Sequence, residues 1–333
     1  MTIKIGLIGC GEIAAYHARG YLAIAEEVQI TAVSDIMETN AQKMAEAVGG
    51  ARIFSHFRSL INESDVDAVD ICLPHHLHKD AIVAAATAGK HILCEKPLCL
   101  NLDEADDIRR ALTANNVMLM CAHNQVFTSA IQKAKELLTE GDLGRIYEIR
   151  TVDTFRLSWA TGNIGWRSKK ETMGGGELID TGYHPSYLLL YLADSIPIEV
   201  AAMLRKYRLH SMDGEDSARV LLRFADGSLG NIVTSWAYDP PPENWRFQII
   251  GERGHISGWR NHLHYQINGG ELEKITLPEV NTFNAEIAHF VACLVNKQTP
   301  IQTELDGIRV LNVILAAYQS QTEKRIVALY PEQ

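Results

Sequence analysis

The segment IKIGLIGCGEIA, residues 3–14, constrains the fold of this chain more than any other. An apolar run ends on Gly9-Cys10-Gly11, and the amphipathic stretch EIAAYHARGYLAIAEE starts with Glu12 and Ile13. Gly9 permits a tight turn, Gly11 lets backbone approach a bound pyrophosphate, and the small Ala14 allows the helix to pack closely on the strand. The first turn of such a helix, at Glu12 and Ile13, presents unpaired N–H groups and the positive end of its dipole to phosphate. The next apolar run, VQITAVSD, ends on Asp35, whose carboxylate would accept hydrogen bonds from the adenosine ribose and repel a 2′-phosphate. Ile36 and Met37 follow it, with no Lys or Arg beside them to neutralise such a phosphate. Strand, glycine turn, helix and terminal acid together predict a dinucleotide-binding βαβ unit that takes NAD in preference to NADP.

The same alternation continues downstream. VDAVDICLP, HILCEKP and VMLMCAHN are near-continuous apolar runs, as expected of parallel strands covered on both faces. Between the runs lie helix-like stretches such as ETNAQKMAEAVG, HKDAIVAAATAGK and LDEADDIRRALTANN. The last follows Asn101 and has Glu104 three residues on, a capping-box start. Residues 1–123 therefore read as a Rossmann domain with a doubly wound parallel sheet.

After Gly144 the texture changes. RIYEIRTVDTF, IEVAAMLRK, SARVLLRFA, SLGNIVTSWAY, WRFQIIGE, LHYQING and ELEKITL are strand-like, with more alternation and few helices between them. Asp226-Gly227 and Asn268-Gly269-Gly270 are hairpin signals. Helical stretches are expected around residues 175–193, at FNAEIAHFVACLVNK and at ELDGIRVLNVILAAYQSQTEK. Residues 124–333 are thus expected to form an α+β domain with an open, mostly antiparallel sheet flanked by helices. A chain of 333 residues exceeds the roughly 250–300 at which single cores divide, in keeping with two domains, and a cleft between them is the expected ligand site.

Several partner classes are disfavoured. A formal charge of −10 with both signs interspersed argues against nucleic acid or an anionic membrane surface. No run is apolar over the roughly 18 residues that a membrane span needs. The opening MTIKIGLIG leads directly into a strand, so no export signal is expected. Six cysteines lack any C-x-x-C pair and several lie in strand-like runs, the pattern of reduced, buried thiols in a cytoplasmic protein.

Two segments at strand ends carry candidate chemistry, LPHHLHKD at 73–80 and CEKP at 94–97. Ligands of an open α/β sheet collect beyond the carboxyl ends of its strands, so Leu73, Pro74, His78, Glu95 and Lys96 are expected beside the cofactor. His75, His76 and His78 have no companion Cys/His pair at zinc-ligand spacing, so no metal is expected; capping the next helix or bordering the cofactor is the role in view. Pro97 restricts Lys96 to extended backbone and stops the strand. Downstream, GGGELIDTGYH sets Asp180 and His184 four residues apart, on one face if the segment is a single helix, with Gly182 and Pro185 working against that. A lysine, an aspartate and a histidine suit hydride chemistry at an alcohol carbon. The imidazole exchanges the hydroxyl proton, the carboxylate supports its protonated form, and the ammonium stabilises developing alkoxide. Trp159, Trp166, Trp236, Tyr238 and Trp245 are candidate stacking faces for a sugar ring, or ordinary core aromatics.

GCGEIA, AVSD, LPHHLH, AGKHILCEKPL, GDLGRIYEI, GWR, GGGELIDTGYH and GIRVLNVILAAYQS stand in an order and spacing that resembles the Gfo/Idh/MocA family. These are the glucose-fructose oxidoreductase, inositol dehydrogenase and rhizopine-catabolism proteins, a family of NAD(P)-dependent dehydrogenases. E-K-P followed far downstream by D-x-x-x-H is the specific part. The resemblance implies that Lys96, Asp180 and His184 are catalytic and contact substrate, and that Glu95 positions Lys96. It further assigns Trp166 and Arg167 to the nicotinamide end; Gln125 is expected beside the cofactor, and Tyr187 and Tyr238 beside the substrate. Tyr187 stands where the family often has Asp, and His75 where it usually has Asn. The substrate implied is a secondary alcohol of a sugar, sugar derivative or cyclitol, and the assembly a homodimer or homotetramer through the second domain's sheet. An NAD-retaining glycosidase and a non-catalytic NAD-binding regulator are the other family activities left open.

Overall fold

The computed structural model describes residues 2–158, 165–240 and 245–329. The chain forms two compact units, one of residues 1–124 and 281–308, the other of 125–280 and 309–333. The division is therefore not a single cut near residue 123, because 281–308 returns to the first unit.

The first unit carries β1 (Ile3–Ile8), α1 (Glu12–Leu22), β2 (Val28–Ser34), α2 (Glu38–Ala47), β3 (Arg52–Phe54) and α3 (Phe57–Glu63). It continues with β4 (Ala68–Ile71), α4 (His78–Thr87), β5 (His91–Glu95), α5 (Leu102–Asn115) and β6 (Leu119–Ala122). All six strands are parallel in the order β3-β2-β1-β4-β5-β6, with the reversal of winding between β1 and β4. Ile5, Leu7, Ile8, Ala68, Val69, Ile71, Ile92 and Leu93 are wholly buried, which explains the unbroken apolar runs. At the start of α5, Asn101 accepts from the Glu104 N–H at 2.9 Å and the Glu104 carboxylate accepts from the Leu100 N–H at 2.9 Å, a reciprocal cap.

The second unit begins with α6 (Ser129–Thr139), β7 (Ile146–Thr154), α7 (Lys170–Met173), α8 (Glu177–Asp180) and α9 (Tyr183–Ala193). The sheet strands β8 (Pro197–Arg205), β9 (Ser217–Phe224), β10 (Leu229–Ser235), β11 (Phe247–Gly251), β12 (Gly254–Trp259), β13 (His262–Ile267) and β14 (Glu273–Thr276) follow. After α10 (Thr282–Asn296) of the first unit, α11 (Glu304–Glu323) leads to β15 (Val327–Ala328). The nine-stranded order is β14-β13-β12-β11-β7-β10-β9-β8-β15, antiparallel except for the β7–β10 pair. One face is covered by α9, which lies against β7 and β10. On β9 the opposite face alternates outward as Arg219, Leu221 and Arg223. No helix among the described residues is long and apolar enough to cross a membrane.

Candidate active site

At the reversal point, Gly9 has φ +87°, and a Cβ there would stand 2.3 Å from the Cys72 carbonyl oxygen. Only glycine lets β1 and the end of β4 come this close. Gly11 starts α1 with no side-chain cap, so the helix N–H groups are left for another acceptor, and a Cβ on Gly11 would meet no atom within 4 Å. Uncapped helix and open glycine face fit a dinucleotide pyrophosphate. Asp35 accepts from the Cys10 N–H at 2.8 Å and the Met37 N–H at 2.7 Å, so its carboxylate also holds the glycine turn in place. Each oxygen keeps a lone pair for the ribose. Glu12 is exposed, while Ile13, Leu73 and Pro74 are half-buried around this turn.

Lys96 follows the last residue of β5, and the Lys96–Pro97 peptide is cis. Its backbone N–H donates to Glu95 Oε2 at 3.1 Å. His78 is wholly buried, with Nδ1 2.7 Å from the Pro97 carbonyl and Nε2 2.8 Å from the Leu73 carbonyl. It therefore staples the segments after β4 and β5 together and leaves the helix-capping role unfilled. Burial lowers its pKa against the pull of the two carbonyls. His75 is buried and His76 exposed.

In the second unit, α8 and α9 meet at Thr181-Gly182 and do not form one uninterrupted helix. Pro185 has no N–H to give the Thr181 carbonyl, which accepts from the His184 N–H at 3.0 Å instead. Asp180, nearly buried, accepts from Arg167 Nε at 2.6 Å, and the guanidinium lies 4.3 Å above the Trp166 ring. His184 Nδ1 is 2.9 Å from the hydroxyl of buried Tyr187, which also accepts from the Gln125 N–H at 3.1 Å. The Gln125 side-chain oxygen in turn accepts from Arg246 at 2.5 Å.

The glycine run before Asp180 is a packing device. A Cβ on Gly176 would stand 2.2 Å from the Glu215 carbonyl oxygen, so only glycine lets the two backbones touch. Glu177 at the start of α8 is wholly buried and bonded by Thr234, and burial holds its carboxyl well above the usual range. Glu215, also buried, accepts from the Leu178 N–H at 3.0 Å and the Tyr318 hydroxyl at 3.1 Å, and burial pushes its pKa up to about 7. Two buried acids and a backbone contact thus anchor the segment that bears Asp180.

The NAD-binding Rossmann-fold model of the oxidoreductase family matches residues 3–123, and the GFO/IDH/MocA C-terminal domain model matches 131–257. The chain belongs to the Gfo/Idh/MocA family. It is an NAD-dependent oxidoreductase, as the two family models together show. Levoglucosan dehydrogenase of Pseudarthrobacter phenanthrenivorans is 29% identical over 288 residues, 77% of this chain and 73% of that protein. Myo-inositol 2-dehydrogenase of Thermotoga maritima is 29% identical over 261 residues, 76% of this chain and 74% of that protein. A solved structure of levoglucosan dehydrogenase in complex with NADH and levoglucosan matches with TM-score 0.91 at 25% identity, covering 98% of this chain and 99% of that one.

Within this Gfo/Idh/MocA chain the aromatic candidates fare unequally. Trp236 is buried and donates to the Thr181 hydroxyl at 2.8 Å, a core residue and no stacking face. Trp245 stands edge-on to His264, Tyr238 accepts from Arg219 at 2.6 Å, and Trp159 lies outside the described residues. Sequence reasoning did not single out His17, Asp70 or Glu286, all wholly buried in the first unit. The available signal was an Asp inside the apolar run VDAVDICLP, since a carboxylate covered on both faces needs a partner.

Proposed function

We propose that this enzyme oxidises a secondary alcohol of a sugar, sugar derivative or cyclitol. Bound NAD supplies the hydride acceptor. Gly9, Gly11 and the α1 N-terminus with Glu12 and Ile13 hold the pyrophosphate, Asp35 takes the ribose hydroxyls, and Leu73, Pro74, Trp166, Arg167 and Gln125 border the cofactor. Lys96 polarises the substrate hydroxyl and stabilises negative charge on its oxygen. His184 exchanges the hydroxyl proton, its ring held at Nδ1 by Tyr187, and Asp180 supports the set through its pair with Arg167. Tyr238 completes the substrate side. The observation that carries the substrate class is the pair of relatives named for levoglucosan and myo-inositol, each aligned over about three quarters of the chain.

The decisive test is Lys96→Met. NAD affinity should stay within about threefold while turnover on a panel of cyclitols, aldoses, sugar acids and amino sugars is almost abolished. Unchanged turnover would refute the assignment. We assign a homodimer or homotetramer to the outward face of the second unit's sheet, where Met203 is 79% and Leu221 57% exposed. Six buried thiols support a cytoplasmic location, and the −10 charge supports the absence of a nucleic-acid role.

A further inference from the structure

Beneath the carboxyl edge of the first unit's sheet lies a closed polar array around His17. The ring projects from the buried face of α1. Its Nδ1 is 2.9 Å from Asp70 Oδ2 on β4, and its Nε2 is 3.1 Å from Glu95 Oε1 at the end of β5. Cys72 Sγ stands 3.5 Å from Asp70 Oδ1 and 3.7 Å from His17 Nδ1. From α10, the wholly buried Glu286 brings Oε2 to 3.9 Å from Nε2, with neither of its oxygens hydrogen-bonded. Phe283 covers the imidazole at 5.9 Å between ring centres.

A carboxylate only accepts hydrogen bonds, and a neutral imidazole has one N–H. Two carboxylates on opposite ring nitrogens therefore call for a proton on each nitrogen. We propose that His17 is a positioning residue of the reaction, an imidazolium that donates to Asp70 and Glu95 and, by clamping Glu95, sets the backbone at Lys96. This rests on the reading of Lys96 as catalytic. Glu95 is the link, since one oxygen faces His17 and the other accepts the Lys96 N–H.

The ionisation of the neighbours agrees. Burial works against the His17 cation, yet the Asp70 charge and its hydrogen bond carry the His17 pKa well above the usual histidine value. Burial alone would raise Glu95, but the His17 hydrogen bond and charge, joined by the Lys96 charge, bring it below the usual carboxylate value. Burial holds Glu286 well above that range and raises Cys72 and Tyr21 as well, so these three stay neutral.

Two measurements test this. In the wild-type enzyme, nitrogen-15 spectra of labelled histidines should show a ring, absent from His17→Gln, that stays protonated on both nitrogens from pH 6 to pH 9, and Glu95→Gln should perturb that signal. In kinetics, His17→Gln should lower kcat by about 10–100-fold with the KM for NAD changed less than about threefold. In the Glu95→Gln background the same substitution should change kcat by less than about twofold, because both act through one link. Additive losses in the double variant, or no ring doubly protonated at pH 8, would overturn the inference even if His17→Gln fails to fold. The ligand atoms of His17, Asp70 and Cys72 lie within 4.8 Å of one another, so one tightly held equivalent of zinc in the purified protein would overturn it too. An inactive Lys96→Met beside a fully active His17→Gln would sink this inference alone; an active Lys96→Met would sink the reading beneath it.

Discussion

Gly9 and Gly11 are two residues apart, yet alanine should act on them in opposite ways. At Gly9 the backbone has φ +87°, and the added methyl would lie 2.3 Å from the Cys72 oxygen and 2.8 Å from its carbonyl carbon. The left-handed conformation costs an L-residue about 1–2 kcal/mol. Forcing the ends of β1 and β4 apart adds about 1–3 kcal/mol. At roughly 2–4 °C per kcal/mol for a unit of this size, the thermal midpoint of Gly9→Ala should fall by about 4–20 °C. At Gly11 the backbone is at φ −79° and ψ −166°, open to alanine, and the methyl would meet nothing within 4 Å. Stability should hold or rise by about 0.4–1 kcal/mol through the unfolded state. The same methyl stands where pyrophosphate must approach, so NAD should bind at least about tenfold more weakly, some 1.4 kcal/mol. Thermal melts and calorimetric NAD titration separate the two effects. A Gly11→Ala enzyme that binds NAD like wild type, or a Gly9→Ala enzyme that melts like it, would refute the reasoning.

Asp35→Asn removes the charge facing a 2′-phosphate while keeping one acceptor for the Cys10 or Met37 N–H, and should raise the NADP/NAD ratio of kcat/KM at least about tenfold. Tyr187→Phe removes the hydroxyl on His184 Nδ1, so kcat should fall by about tenfold or more with NAD affinity unchanged, and the unpaired Gln125 N–H should cost about 1–3 kcal/mol in urea unfolding. Glu215 sits at about 7 when folded and near the ordinary glutamate value when unfolded, so the folded state holds the proton more tightly. Its contribution is complete below the unfolded value and is lost as pH rises towards 7, by roughly 3 kcal/mol in all. Glu215→Gln should flatten that loss in urea midpoints taken between pH 5 and pH 8.

Much of the fold was legible locally. The five long apolar runs of the first unit became β1, β2, β4, β5 and β6, while the three-residue β3 had too short a pattern to register. In the second unit β12, GHISGW, escaped because glycines and a histidine break its apolar alternation. The parallel β7–β10 pair was also invisible, since strand pairing across some 80 residues leaves no trace in either segment. His78 illustrates the limit at the site. Its position after β4 was evident, but both ring nitrogens face backbone carbonyls, and backbone atoms have no sequence signature.

The sequence by itself determined the alternation of strand and helix, the glycine turn and the residue types at strand ends, because periodicity and turn chemistry act within a few neighbours. Which groups meet was decided by tertiary structure. His17 reaches Glu95 across 78 positions, Tyr187 takes His184 Nδ1, and Arg167 takes Asp180 across 13 positions. A buried ionisable group finds its charge state only from what is packed against it. Lys96 was readable as a candidate from the order of letters alone; the array that holds its backbone exists only once α1, β4, β5 and α10 have come together.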